Sequence, residues 1–478
     1  MIALVLACAP WVTDAYLDEV MDRDGDGDVA NQYGGFDCND FDGAVSSLAP
    51  EVCDDGIDNN CDGRSTGCGL WGDFDLANAE VAQVDVEGSV GAALTATDLN
   101  DNSQVDLVVG APEASVVYAY YDGANTPESL VYTKGVELGS SLAVGHLNGD
   151  GSLDLAVSAP SLGGATTYLF HGPFADVLTV EDADTQIIGD ANPTVLIGDL
   201  DGKGAENVVL ACSSYSASSD GAVLLYPDQL GAIEYDFSAG VFGTDGSRLG
   251  TSAFLADVDA DGVMDLVAGA PGTTTVREDA GAVYLAFGAI KSDLYGDFDG
   301  DLPIFTGTEC GVGQAVWAGD LNDDGYVEVV AGAPLCEAGT VWIADSKTLT
   351  APGERMRVLD HLAFARIGGG IGFGSYLWGD DFDGDGLVDL VVGTSEGQIY
   401  VFSHSIEGKL GDRDGFLIPP AAEAAQAIIT GNSSVFAEGM ALASGDFIGD
   451  ELKDLVVGAP GWNDSAGRVF LLAGSPGL

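Results

Sequence analysis

The sequence predicts an all-β chain: a seven-bladed β-propeller over residues 71–478, preceded by a small disulfide-rich, Asp-rich module over 9–70 and a short apolar start, 1–8. Three observations carry this. An acidic nonapeptide running into an apolar segment recurs seven times, the segments between repeats read as short strands, and no stretch of helical periodicity competes with them.

Aligned on the residue that closes each acidic loop, the units are DLNDNSQVDLVVGAP (98–112), HLNGDGSLDLAVSAP (146–160), DLDGKGAENVVLACS (199–213), DVDADGVMDLVAGAP (257–271), DLNDDGYVEVVAGAP (320–334), DFDGDGLVDLVVGTS (381–395) and DFIGDELKDLVVGAP (446–460). The closing residues stand 48 to 65 apart, the period of a propeller, solenoid or array. Each unit has a small-residue lead-in, the nonapeptide, an apolar run, a strand such as GAVYL (281–285) or GQIYVF (397–402), and a last strand such as QAIITG (426–431). Four strands in each of seven units make a seven-bladed propeller. The last unit ends after GRVFLLAG (467–474), one strand short, and the orphan AEVAQVDVEG (79–88) precedes the first. That orphan is expected to complete blade seven and remove the open edge.

On these residues the chain resembles the FG-GAP repeats of the integrin α-subunit propeller and its bacterial relatives, over about residues 79–478. The resemblance implies Ca²⁺ in the loops and extracellular recognition of a protein or glycan.

The loops themselves read as halves of an EF-hand. Alternate oxygens at positions 1, 3, 5 and 9, with the carbonyl at 7, suit a hard cation, whereas the twelfth-position Glu of an EF-hand has no counterpart in a β-hairpin. Unit four offers Asp257, Asp259, Asp261, Asp265 and the Val263 carbonyl; unit six, Asp381, Asp383, Asp385, Asp389 and Leu387. Unit five has Asp320, Asn322, Asp324, Glu328 and Tyr326; unit one has Asp98, Asn100, Asn102, Asp106 and Gln104. Unit two starts with His146, a poor ligand for such an ion. In unit three Lys203 would put its own ammonium where the cation belongs, and unit seven has Ile448 at position three. Three to five structural Ca²⁺ sites are expected in the propeller.

Ahead of it, DRDGDGD supplies Asp22, Asp24, Asp26 and Asp28, and residues 37–68 add Cys38, Cys53, Cys61 and Cys68. The cysteine spacing does not fit a C-x₂-C zinc site and reads as a two-disulfide knot with three possible connectivities. This stretch is similar to the Asp/Cys metal-binding motif of bacterial surface proteins, a few of them linked to copper; its oxygen-rich donors favour Ca²⁺. An acidic, disulfide-tied stalk is the alternative. Cys310 and Cys336 flank the unit-five hairpin symmetrically and predict a disulfide; Cys212 reads as a buried thiol.

With 77 acids against 15 bases, the chain carries a net charge of −62, which repels nucleic acid and anionic membranes. The acids serve either as cation ligands or as a solubilising, salt-adapted coat. No apolar run reaches eighteen residues. The start, MIALVLACAP, resembles a lipoprotein processing site with Cys8 as the acylated residue, or else a plain signal remnant, and either predicts export to a bacterial surface or beyond. GTSEG (393–397) matches a nucleophile elbow, but a strand follows where a helix is needed, so Ser395 is not a nucleophile. The four histidines are scattered. The reading is a secreted or surface-anchored Ca²⁺-binding propeller for recognition or adhesion, not an enzyme; the alternatives are a hydrolase-associated propeller and a purely structural envelope protein. Loops 212–221, 271–280 and 460–466, opposite the acidic hairpins, would carry recognition, with Tyr215, Arg277 and Trp462 as anchors.

Overall fold

A computed structural model describes scattered residues between 21 and 76 and most of 88–474, with its longer gaps at 122–127, 216–219, 227–231, 275–279, 296–303, 307–310, 350–355, 359–362, 403–420 and 432–438. It divides into two compact units, Met1–Gly69 with Ser475–Leu478, and Leu70–Gly474.

The larger unit is all-β. Its alternating apolar runs and Gly/Asp-rich turns fold into seven antiparallel sheets, one for each sequence unit. Blade four is representative: Ser252–Ala256, Asp265–Ala270, Ala282–Ala286 and Ile304–Thr306 lie in that order. Second strands such as Asp265–Ala270 and Asp454–Ala459 are buried along their whole length, which is why the sequence shows an unbroken apolar run there.

First strands touch first strands right round the molecule, including Ala93–Thr97 of blade one against Ala441–Gly445 of blade seven. The buried apolar residues form seven clusters, one between each pair of neighbouring blades. The cluster between blades seven and one joins Val109 and Ala111 to Val456 and Val469. The propeller is a closed seven-bladed ring.

Blades one to four and six also carry a short fifth strand in parallel pairing. In the first four it comes from the next blade, between that blade's third and fourth strands: Leu178–Thr179, Ile233–Glu234, Leu294–Tyr295 and Met356–Val358. On blade six the position is taken by Gly72–Asp75, paired with Ala427–Thr430. Residues ahead of blade one thus stand where a third-to-fourth connection of blade seven would stand. Of the expected closing strand, 79–87 lie outside the described residues; just after it, Val90 bridges Gly467 of blade seven.

In the amino-terminal unit, Ala30 bridges Asp37 and Cys38 is disulfide-bonded to Cys61. Cys53, Cys68 and Cys8 lie outside the described residues. Cys336 is disulfide-bonded; its expected partner, Cys310, lies outside the described residues.

Candidate metal centres

The seven acidic nonapeptides are the hairpins between the first and second strands of the seven blades, so they share one face of the ring. One hydrogen-bond frame builds them all. The N–H at position two donates to the side chain at position nine: Leu99 to Asp106, Leu147 to Asp154, Leu200 to Asn207, Val258 to Asp265, Leu321 to Glu328, Phe382 to Asp389 and Phe447 to Asp454, at 2.7–3.2 Å. In blades two, four and seven the other oxygen of that carboxylate accepts the N–H of Gly172, Gly288 or Gly474, beyond the third strand. The position-nine side chain is therefore a staple inside the blade, and Asp106, Asp154, Asp265, Glu328, Asp389 and Asp454 are all 0 % exposed.

At position one, Asp98, Asp199, Asp257, Asp320, Asp381 and Asp446 accept N–H groups from residues four or five positions on. Position six turns with positive φ, at Gly262 (88°) and Gly386 (88°) but also at Ser103 (70°) and Glu451 (72°). Blade seven, with Ile448 in place of an acid, keeps the whole frame. What distinguishes the blades is therefore not the hairpin but which carboxylate oxygens converge on one another.

In blade four, oxygens of Asp257, Asp259 and Asp265 lie within 4.8 Å of one another; in blade six those of Asp381, Asp383 and Asp385 do. Burial and the neighbouring Asp261 and Asp257 raise Asp259, and burial pushes Asp265 up to about 6. Burial, followed by the charges of Asp383, Asp385 and Asp381, pushes Asp389 up to about 8. Oδ1 of Asp389 is buried with no hydrogen-bond partner among the described residues. Like charges converging on one point, in blade six beside a buried Asp389 oxygen with no partner among the described residues, are what a hard divalent cation relieves, so these two donor sets fit Ca²⁺.

Elsewhere the sets are engaged differently. In blade five the Asp324 carboxylate pairs with Lys347, 2.5 Å away, and the Asn322 amide donates to Glu328 at 3.3 Å. Lys347 comes from outside the loop, and nothing in the nonapeptide announced it. In blade three Lys203 pairs with Asp201, as its position in the loop implied. In blade one Asn102 Oδ1 accepts the Gln104 N–H. In blade two the His146 ring contacts the Ser152 carbonyl at 2.9 Å, turned into its own loop.

In the amino-terminal unit both carboxylate oxygens of Asp24 are buried with no hydrogen-bond partner among the described residues, while Asp22 accepts the Gly25 N–H at 2.8 Å. Asp26 and Asp28 lie outside the described residues.

Of the recognition anchors, Trp462 is not an exposed one. It is half-buried, edge-on to Phe470 at 5.1 Å, with the Arg468 guanidinium 4.6 Å over its ring. Tyr215 is also half-buried, packed on Phe242, and lines a cavity of about 320 Å³ between blades two and three with Tyr226, Phe237 and Cys212. Burial pushes the Cys212 thiol up to about 12, which keeps it an unreactive thiol. Arg277 lies outside the described residues. Ser395 sits in a strand–turn–strand, between Asp389–Thr394 and Gln398–Phe402, without the helix of a nucleophile elbow. Among the described residues no helix is long and apolar enough to cross a membrane.

Family models match at two places: the FG-GAP repeat at 138–169, 249–285 and 312–343, and a motif described as "Putative metal-binding motif" at 37–65. The chain is 28% identical to integrin alpha pat-2 of Caenorhabditis briggsae over 242 residues, 45% of this chain and 18% of that protein. It is 33% identical to human integrin alpha-7 over 156 residues, 31% of this chain and 12% of that one. With integrin alpha-PS5 of Drosophila melanogaster it is 29% identical over 180 residues, 35% of this chain and 17% of the relative. The chain thus matches less than a fifth of the length of each of these relatives. Repeats, ring and relatives agree: the chain is a seven-bladed β-propeller that carries FG-GAP repeats and is similar to integrin α subunits, and its residues 37–65 match the metal-binding motif model.

Proposed function

We propose that the chain is an extracellular, surface-anchored or secreted recognition propeller whose hairpins are stiffened by Ca²⁺ and whose opposite face binds a protein or glycan. The observation that carries the metal part is the convergence of three carboxylates in blade four and three in blade six. The ligand set is then Asp257, Asp259, Asp261, Asp265 and the Val263 carbonyl in blade four, and Asp381, Asp383, Asp385, Asp389 and the Leu387 carbonyl in blade six. Asp98, Asn100, Asn102, Asp106 and the Gln104 carbonyl form a weaker set, with fewer charges. Asp24, with its buried oxygens, would anchor a further hard-cation site with Asp22, Asp26 and Asp28.

Recognition is supported by the integrin α relatives, and export by the same relatives, the Cys38–Cys61 disulfide and the Val-Leu-Ala-Cys start with Cys8. The closing strand 79–88 is supported by Gly72–Asp75, which already takes the place a blade-seven connection would occupy. Probing glycan and protein arrays with the purified chain, in Ca²⁺ and in EGTA, tests the function. Binding that appears only with Ca²⁺ is expected; no binding to either array would leave only a structural role.

A further inference from the structure

We propose that in blade five an internal ammonium, that of Lys347, holds the place a divalent cation takes in blades four and six. The contrast rests on the metal reading of those two blades, but the geometry is blade five's own. Lys347 lies on the helical turn Ser346–Leu349, directly after the third strand Thr340–Asp345. The turn is pinned to the hairpin's base: the N–H of buried Ser346 donates to the Val327 carbonyl at 3.1 Å, and that of Lys347 to Asp345 at 2.7 Å. So fixed, the side chain reaches back over the loop. Its Nζ lies 2.5 Å from Asp324 Oδ2 and 4.0 Å from the centre of the Tyr326 ring.

Asp324 and Tyr326 are loop positions five and seven, which in the metal reading give a carboxylate and a carbonyl to the ion. At position three the Asn322 amide donates to Glu328, a bond that an Asp in that place could not make. The ammonium neutralises the Asp324 carboxylate, and the Tyr326 ring adds a cation–π contact. Blade three reaches the same end from within its loop, with Lys203 on Asp201. A divalent ion could enter blade five only by displacing Lys347 from Asp324.

Tyr326 makes this measurable, because Tb³⁺ replaces Ca²⁺ in oxygen sites and is excited by a neighbouring tyrosine. The full-length chain, Lys347→Met and Lys347→Arg are titrated with Tb³⁺, each with and without Tyr326→Phe, and bound ions are counted by equilibrium dialysis. In the parent chain and in Lys347→Arg, Tyr326→Phe is expected to leave the Tb³⁺ emission unchanged. In Lys347→Met a Tyr326-dependent component should appear, with one more ion bound per chain. Tyr326-dependent emission in the parent chain, or no gain in Lys347→Met, overturns the proposal. Should blades four and six bind nothing, the total count falls while the Tyr326-dependent gain in Lys347→Met persists, so the two readings fail separately. Lys347 is 42 % exposed along its side chain, so folding of the variants is monitored only by their melting curves.

Discussion

Gly458 of blade seven packs directly on Gly91, just ahead of blade one: a Cβ on Gly458 would lie 2.2 Å from the Gly91 carbonyl oxygen. The same contact joins Gly110 to Gly139, Gly269 to Gly313 and Gly332 to Gly374, each at 2.0 Å. The glycine of the Gly-Ala-Pro run is thus where one blade's second strand meets the backbone leading into the next, and Gly458–Gly91 is that contact at the closure of the ring.

Gly458→Ala therefore forces backbone against backbone. It should cost about 2–4 kcal/mol and lower the melting temperature, with Tb³⁺ binding retained in the folded protein. An unchanged melting curve would show that the ring gives way at this seam without strain.

Ser103 and Glu451 hold the left-handed turn that glycine holds in the other five hairpins, at φ 70° and 72°. Ser103→Gly and Glu451→Gly should each stabilise the chain by about 1 kcal/mol, since a side chain in that region is strained by about that much. Chemical denaturation reads the gain; a loss in both variants would mean their side chains do more than tolerate the turn.

Removing Ca²⁺ with EGTA at low ionic strength should lower stability. With a Kd near ~10⁻⁴ M and ~1 mM Ca²⁺, each site contributes about 1.4 kcal/mol, so blades four and six together give about 3 kcal/mol. Asp259→Asn should take away about half of the EGTA effect. A melting temperature indifferent to EGTA would reduce the carboxylates to a coat.

The metal-free chain should lose stability as pH rises. Burial raises Asp265 to about 6 and Asp389 to about 8 in the folded state, so folding binds protons. That contribution is full below the unfolded carboxylate range, about pH 4, and disappears as pH passes through those raised values. Urea midpoints measured in EGTA are expected to fall across this window and to flatten with Ca²⁺. Asp389→Asn should remove part of the fall, because blade three already carries Asn207 at the same place, 1 % exposed. Midpoints that climb with pH in EGTA would contradict the burial of these acids as charged groups without a cation.

The sequence by itself determined the number of blades, the place of every hairpin and the ammonium of blade three. Those features are local: a nonapeptide with its apolar run forms one hairpin whatever surrounds it, and Lys203 stands inside the loop it neutralises. Tertiary structure decided what depends on residues far apart in the chain. Lys347 meets Asp324, 23 residues earlier, only because a third strand returns beside the hairpin. It also decided that the position-nine acids, indistinguishable from ligands in the sequence, first serve as staples for the N–H of position two. A carboxylate can do either task, and only the convergence of its neighbours, in blades four and six, separates them.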